Sequence, residues 1–305
     1  MTPTGDLPLA GWLLLLTLAT FTASALAWRR LAFSEPSQDK HGAVRAQCVL
    51  QAAVLAGLVG ALAWRWTVHE GPWRPISAHI DGLLLLAVAA AASILFLQFR
   101  AGFHGVAAFA LPLLGLILTW GICAAAWSYD PFSLDARGRA WLVLHQAGIY
   151  LGGLGALLAA AAGLAYLYAR KRLLSGGSLS RVPVLSSLES LERLVIVGST
   201  VGFSLLSIGL ASGIGVAAER SNEIDWWREP KATLGLVSWL GYGLVMNARL
   251  TSVLRGTPAA VTAVVGFAVL IGAYAAAEAW PHRHTSSAAT PAVQPASPST
   301  QEAAP

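Results

Sequence analysis

Eight stretches of the chain stay apolar over the length of a membrane crossing: about 7 to 28, 46 to 64, 82 to 99, 105 to 127, 141 to 168, 194 to 217, 233 to 249 and 260 to 280. A hydrocarbon core of about 30 Å takes roughly 20 helical residues to cross. The alternation of a barrel strand is missing from these stretches, and lipid offers a backbone amide no water partner, so each is predicted to be a helix. The pattern therefore predicts an all-α, polytopic membrane protein with about eight transmembrane helices.

Composition agrees with the pattern. The 305 residues are 56% hydrophobic and 11% charged, with a mean hydropathy of +0.62, outside the soluble globular range. Lys and Arg resist translocation and set the orientation. Loops after the first, third, fifth and seventh spans hold Arg29, Arg30, Lys40, Arg45, Arg100, Arg170, Lys171, Arg172, Arg181, Arg193, Arg249 and Arg255, against the acids Glu35, Asp39, Glu189 and Glu192. Those loops are expected to be cytoplasmic, with both termini on the outer face. The net charge of +5 is this bias, so no nucleic-acid partner is implied.

Residues 12 to 27 also resemble a signal peptide, with Ala25-Leu26-Ala27 as a cleavage site. Asp6 without a preceding cation, and Arg29-Arg30 after the apolar run, favour an uncleaved span. Cys48 and Cys123 fall inside predicted spans and form no C-x-x-C, so both read as small buried apolar residues.

Three regions are expected: residues 1–45 as first span and cytoplasmic loop, 46–282 as the main membrane domain, and 283–305 as a tail rich in Ala, Pro, Ser and Thr. With Glu302 as the one charge in 285–305, that tail cannot bury a core and is predicted to be disordered. Residues 173–193 read as a cytoplasmic Gly/Ser linker, then a segment in which Ser186 or Ser187 caps a helix feeding the sixth span. Gly148-x-x-x-Gly152, Gly198-x-x-x-Gly202 and Gly209-x-x-x-Gly213 place small residues on one face of the fifth and sixth spans, the spacing of close helix packing.

Candidate chemistry starts from seven histidines, because an imidazole near lipid needs a partner or a ligand. His145 lies within the fifth span near its outer end; alone, it reads as a helix–helix hydrogen bonder or a ligand. His282 and His284 follow the last span on that face. His69 and His79 share an outer loop with tryptophans, while His41 and His104 belong to the cytoplasmic side. The outer loop "DWWREPK", residues 225–231, adds Trp226, Trp227, Arg228 and Lys231. A tryptophan belt at the interface explains part of this. Histidines on either side of a Trp-rich, cationic loop also suit a porphyrin: indoles stack on the ring, cations pair with propionates, and imidazoles ligate iron. Charges inside the spans are too few for a transport pathway, and no nucleophile–base set emerges, so independent catalysis is not expected.

Three stretches carry a family resemblance. Residues 183–219 look like a cytoplasmic linker feeding a Gly-rich span; residues 144–167 place His145 before the Trp loop; and residues 225–249 follow W-x-W-D-P-K-E-T, an apolar run with Trp, and a closing H-A-R. Trp226, Pro230, Lys231, Thr233, Trp239, Tyr242, Ala248 and Arg249 match, whereas Arg228, Glu229, Ala232 and Asn247 depart from the pattern. The chain thus resembles the cytochrome c assembly family, in its CcsA/ResC branch of WWD-domain haem-handling proteins related to CcmC and HemX. The resemblance implies haem as cofactor, presented at the outer face of a bacterial-type inner (plasma) membrane to apocytochrome c, with a second assembly subunit. It implies His145 as one iron ligand, His282 or His284 as the other, Trp226 and Trp227 as stacking platform, and Arg228 and Lys231 as propionate clamp. The alternative it leaves is a HemX-like membrane interaction or regulatory protein that does not itself bind haem.

Overall fold

The computed structural model describes residues 7–32, 40–68, 79–100, 103, 105–126, 136–175, 186–220 and 256–279, and eight positions between 233 and 244. The helices are α1 (Leu7–Ala32), α2 (Lys40–Val68), α3 (His79–Phe99), α4 (Ala107–Ala126), α5 (Ala136–Leu174), α6 (Leu188–Arg220), α7 (helical positions from 233 to 244) and α8 (Thr257–Ala279). No strand occurs among the described residues, and seven of the helices are long and apolar enough to cross a membrane. The protein is a polytopic all-α membrane protein. The seventh expected span, 233–249, is only partly described, and its Leu236, Val237, Leu240 and Leu244 side chains are exposed.

Helix α5 is the centre. It packs against α6 most extensively, and against α8, α3 and α4, while α1 is laid along α4 and α2. Ala159, Ala160, Ala161 and Ala162 are all at most 1% exposed. Four consecutive residues point all round a helix, so α5 is enclosed on every side, and the small methyl groups let its neighbours close in.

Contacts fix the relative directions. Leu16 of α1 meets Gly57 of α2, and Arg30 near the end of α1 meets Gln47 near the start of α2, so the pair is antiparallel. Arg65 and Asp81 pair at one end of α2 and α3, and Cys48 and Gln98 at the other. The ends of α1, α3 and α5 that carry Arg29, Arg30, Arg100, Arg170, Lys171 and Arg172 therefore gather at one end of the bundle. Hydroxyls inside the helices, among them Thr17, Thr20, Thr200 and Ser207, donate to the carbonyl four residues back, which satisfies them without water.

Several expectations are corrected. Spans five and six are longer than their apolar runs: α5 has 39 residues and α6 has 33. At 1.5 Å per residue these are about 58 and 50 Å long, well beyond a hydrocarbon core of about 30 Å. Hydropathy stops at the first charges, whereas backbone hydrogen bonding does not. The helix expected to feed the sixth span after Ser186 or Ser187 is continuous with it, and 188–193 are the first turns of α6. Ser187 is the cap, accepting from Ser190 N–H at 3.2 Å; Ser186 is buried, its hydroxyl without a partner. Neither cysteine is a fully buried apolar residue. Cys48 is half-buried and donates to Gln98 Oε1 at 3.3 Å, and Cys123 is exposed on α4. His79, read as a loop residue, opens α3.

Candidate functional site

The α5–α6 seam builds the site. A Cβ added at Gly148 would stand 2.5 Å from Gly209 N, and one at Gly155 would stand 2.7 Å from Gly202 N and 2.8 Å from Gly198 O. The two backbones touch along the seam. Partner numbers fall on α6 as they rise on α5, so the helices are antiparallel and the first third of α5 lies beside the last third of α6.

Into this seam α5 projects His145, half-buried, its ring Nδ1 2.6 Å from the Gly209 carbonyl oxygen. A carbonyl can only accept, so Nδ1 carries the proton in this bond. Metal-ligating histidines are commonly oriented this way, through the ring N–H that does not face the metal. Gly213 leaves the ring its room: a Cβ there would lie 2.8 Å from His145 Nδ1 and 2.9 Å from Cε1. Ser212 Oγ lies 2.7 Å from the Ile208 oxygen and 3.0 Å from the Gly209 oxygen, so its single hydrogen is shared between the two carbonyls, with the shorter bond to Ile208.

Helix α7 is pinned to the same part of α6. Trp239 Nε1 donates to Ser207 Oγ at 2.7 Å, and its ring stacks on Phe203 with centroids 5.2 Å apart and planes 24° apart. Gly243 sits one turn further along, against Phe203. Ser207 and Gly209 are two residues apart, so one short stretch of α6 positions both the histidine and the helix that follows the Trp loop. Neither Ser207, Gly209 nor Gly213 was singled out as a site residue from sequence. The Gly209 and Gly213 spacing was visible, but a backbone carbonyl has no sequence signature.

Of the other candidates, Trp226, Trp227, Arg228, Lys231, His282 and His284 lie outside the described residues, as do His69 and His104. Among the described residues no three His, Cys, Asp or Glu side chains group as a metal site. At the same end of the bundle, Arg65 Nε and Asp81 Oδ1 form a buried ion pair at 2.6 Å between α2 and α3. One residue on, Gly82 lies under the Tyr150 ring of α5, in the space a Cβ would take.

Fold and seam together define a multi-pass helical membrane protein holding an oriented imidazole at the bundle end opposite its cationic end. The profile of the family described as Cytochrome C assembly protein matches residues 76–282, more than half of the chain, and the chain belongs to that family. Three similar proteins are each named Cytochrome c biogenesis protein CcsA. That of Synechococcus sp. (strain CC9605) is 28% identical over 283 residues, covering 85% of this chain and 91% of the relative. That of Heterosigma akashiwo (strain NIES-293 / 8280G21-1) is 24% identical over 242 residues, 68% of this chain and 74% of the relative. That of Prochlorococcus marinus (strain NATL1A) is 39% identical, but over 87 residues, so the chain spans only 27% of that relative's length. No solved structure matches.

Proposed function

We propose that this protein presents haem at the outer face of a bacterial-type inner (plasma) membrane during cytochrome c biogenesis, with a second assembly subunit and apocytochrome c as partners. The observation that carries the reading is the Nδ1–H bond from His145 to Gly209 O, which fixes the orientation of the ring in the way that metal-ligating histidines are commonly held. Haem, when bound, is the group handed on; the chain's own residues hold and orient it.

His145 supplies one iron ligand and His282 or His284 the other. Trp226 and Trp227 stack on the ring, and Arg228 and Lys231 neutralise the propionates. Register supports this assembly: Trp239 meets Ser207 and Gly243 meets Phe203, so α7 runs antiparallel to α6. Continued back, that register brings Thr233, an exposed helical residue, level with Gly213 and the His145 ring. Lys231 and the Trp pair come just before Thr233 in the chain.

The test is spectroscopic. Full-length protein, expressed with haem supply and purified, is expected to carry a Soret band that His145→Ala shifts or reduces about tenfold, the order of effect of losing a ligand or its orienting partner. Absence of any Soret band, with His145→Ala silent in cytochrome c maturation, overturns the reading in favour of a membrane interaction protein that does not bind haem.

A further inference from the structure

We infer that a single water molecule is bound inside the hydrocarbon core of the membrane, between α1, α2, α3 and α4, with Gln51 as its principal partner. Gln51 is 5% exposed, and neither its Nε2 nor its Oε1 has a hydrogen-bond partner. Burying a primary amide without partners is strongly unfavourable where no bulk water reaches. The neighbouring polar groups do not relieve it. Gln47 accepts from Arg30 at 2.7 Å, and Cys48 donates to Gln98.

Beside Gln51 lies a cavity of about 10 Å³, lined also by Thr20, Val54, Ile94 and Leu114. That volume sits at the lower limit for one water, about 10–15 Å³, and admits no larger ligand. A purely apolar cavity of this kind stays dry; this one carries an amide and a hydroxyl. Thr20 donates its own hydrogen to Leu16 O at 2.7 Å, so its oxygen is left to accept. A water here accepts from Gln51 Nε2 and donates to Gln51 Oε1 and to Thr20 Oγ1. Three bonds is the ordinary complement of a buried water.

Depth makes the site unusual. Gln51 is nine residues into the apolar stretch Gly42–Thr67. That places it about 14 Å into a stretch about 39 Å long, about 5 Å short of its midpoint and well inside the hydrocarbon core. The water therefore supplies what lipid cannot, and it ties α2 to α1 where those helices share no direct side-chain bond at that level among the described residues.

Hydroxyl-radical footprinting of the full-length chain in nanodiscs, by synchrotron pulse and mass spectrometry, tests this, because radicals form from bound water. Val54, Ile94 and Leu114 are 3%, 1% and 1% exposed, and Leu58 and Leu118, 0% and 2% exposed, do not line the cavity. A bound water predicts labelling of the first set at least about threefold above the second, and loss of that excess in Gln51→Met. Equal labelling of the two sets in the wild type overturns the inference. An excess that survives in Gln51→Met overturns the role of Gln51. Should Gln51→Met fail to fold, Ala91→Val, which fills the cavity from α3, replaces it with the same readout.

Discussion

At the scale of single residues, Arg65 and Asp81 form a buried ion pair that is costly to break. Their side chains are 6% and 5% exposed and meet at 2.6 Å. Removing one partner strands a charge and destabilises by about 3–5 kcal/mol, whereas an apolar pair of similar volume is close to neutral. Arg65→Met, which strands Asp81, is therefore expected to lower the unfolding free energy in detergent by about that amount, and Arg65→Met with Asp81→Leu to recover most of it. A double variant no more stable than the single one would refute the pairing account. Sequence placed both residues at span ends, because charge counting closes a span at its first ion. Their pairing across 16 positions appears only once α2 and α3 fold back on each other. His145, in contrast, was legible as a lone imidazole in an apolar run. What it bonds to was not, since any residue can supply a carbonyl.

At the scale of helices, the α5–α6 seam depends on which glycines face each other. A Cβ at Gly148 would lie 2.5 Å from Gly209 N and 2.9 Å from Leu205 O, both backbone atoms that cannot swing aside. Gly148→Ala is expected to cost about 1–3 kcal/mol, as overpacking does. Gly153→Ala, with nothing within 4 Å of the new methyl, is the control. It is expected to be neutral or to stabilise by up to about 1 kcal/mol through reduced chain entropy. Thermal unfolding of the two variants side by side checks this, and equal losses would rule out a backbone seam. The G-x-x-x-G spacing announced a close approach, and the structure extends it to Gly155, which belongs to none of the quoted pairs. Helix ends were less legible, because α5 and α6 continue through charged residues that hydropathy treats as loop.

At the scale of the molecule, the cationic ends of α1, α3 and α5 meet at one pole and the His145 seam lies toward the other. The proposed orientation puts the cationic pole inside. In a Cys48→Ala, Cys123→Ala background, Ser297→Cys is expected to react with a membrane-impermeant maleimide from outside intact cells, and Ser175→Cys only after permeabilisation. The opposite pattern would invert the protein and move its imidazole to the cytoplasmic face. The seam has a mechanical consequence as well. Besides the backbone contacts, side chains of α5 lie against glycines of α6, Ile149 at Gly209 and Trp141 at Gly215. At that pole the His145 ring is lodged between Gly209 and Gly213 in the same way. A slip of one turn, about 5.4 Å, would pull the gap away from the ring and swing Nε2 to a new bearing. The lateral register of α5 on α6 and the aim of the His145 ring are thus one coordinate.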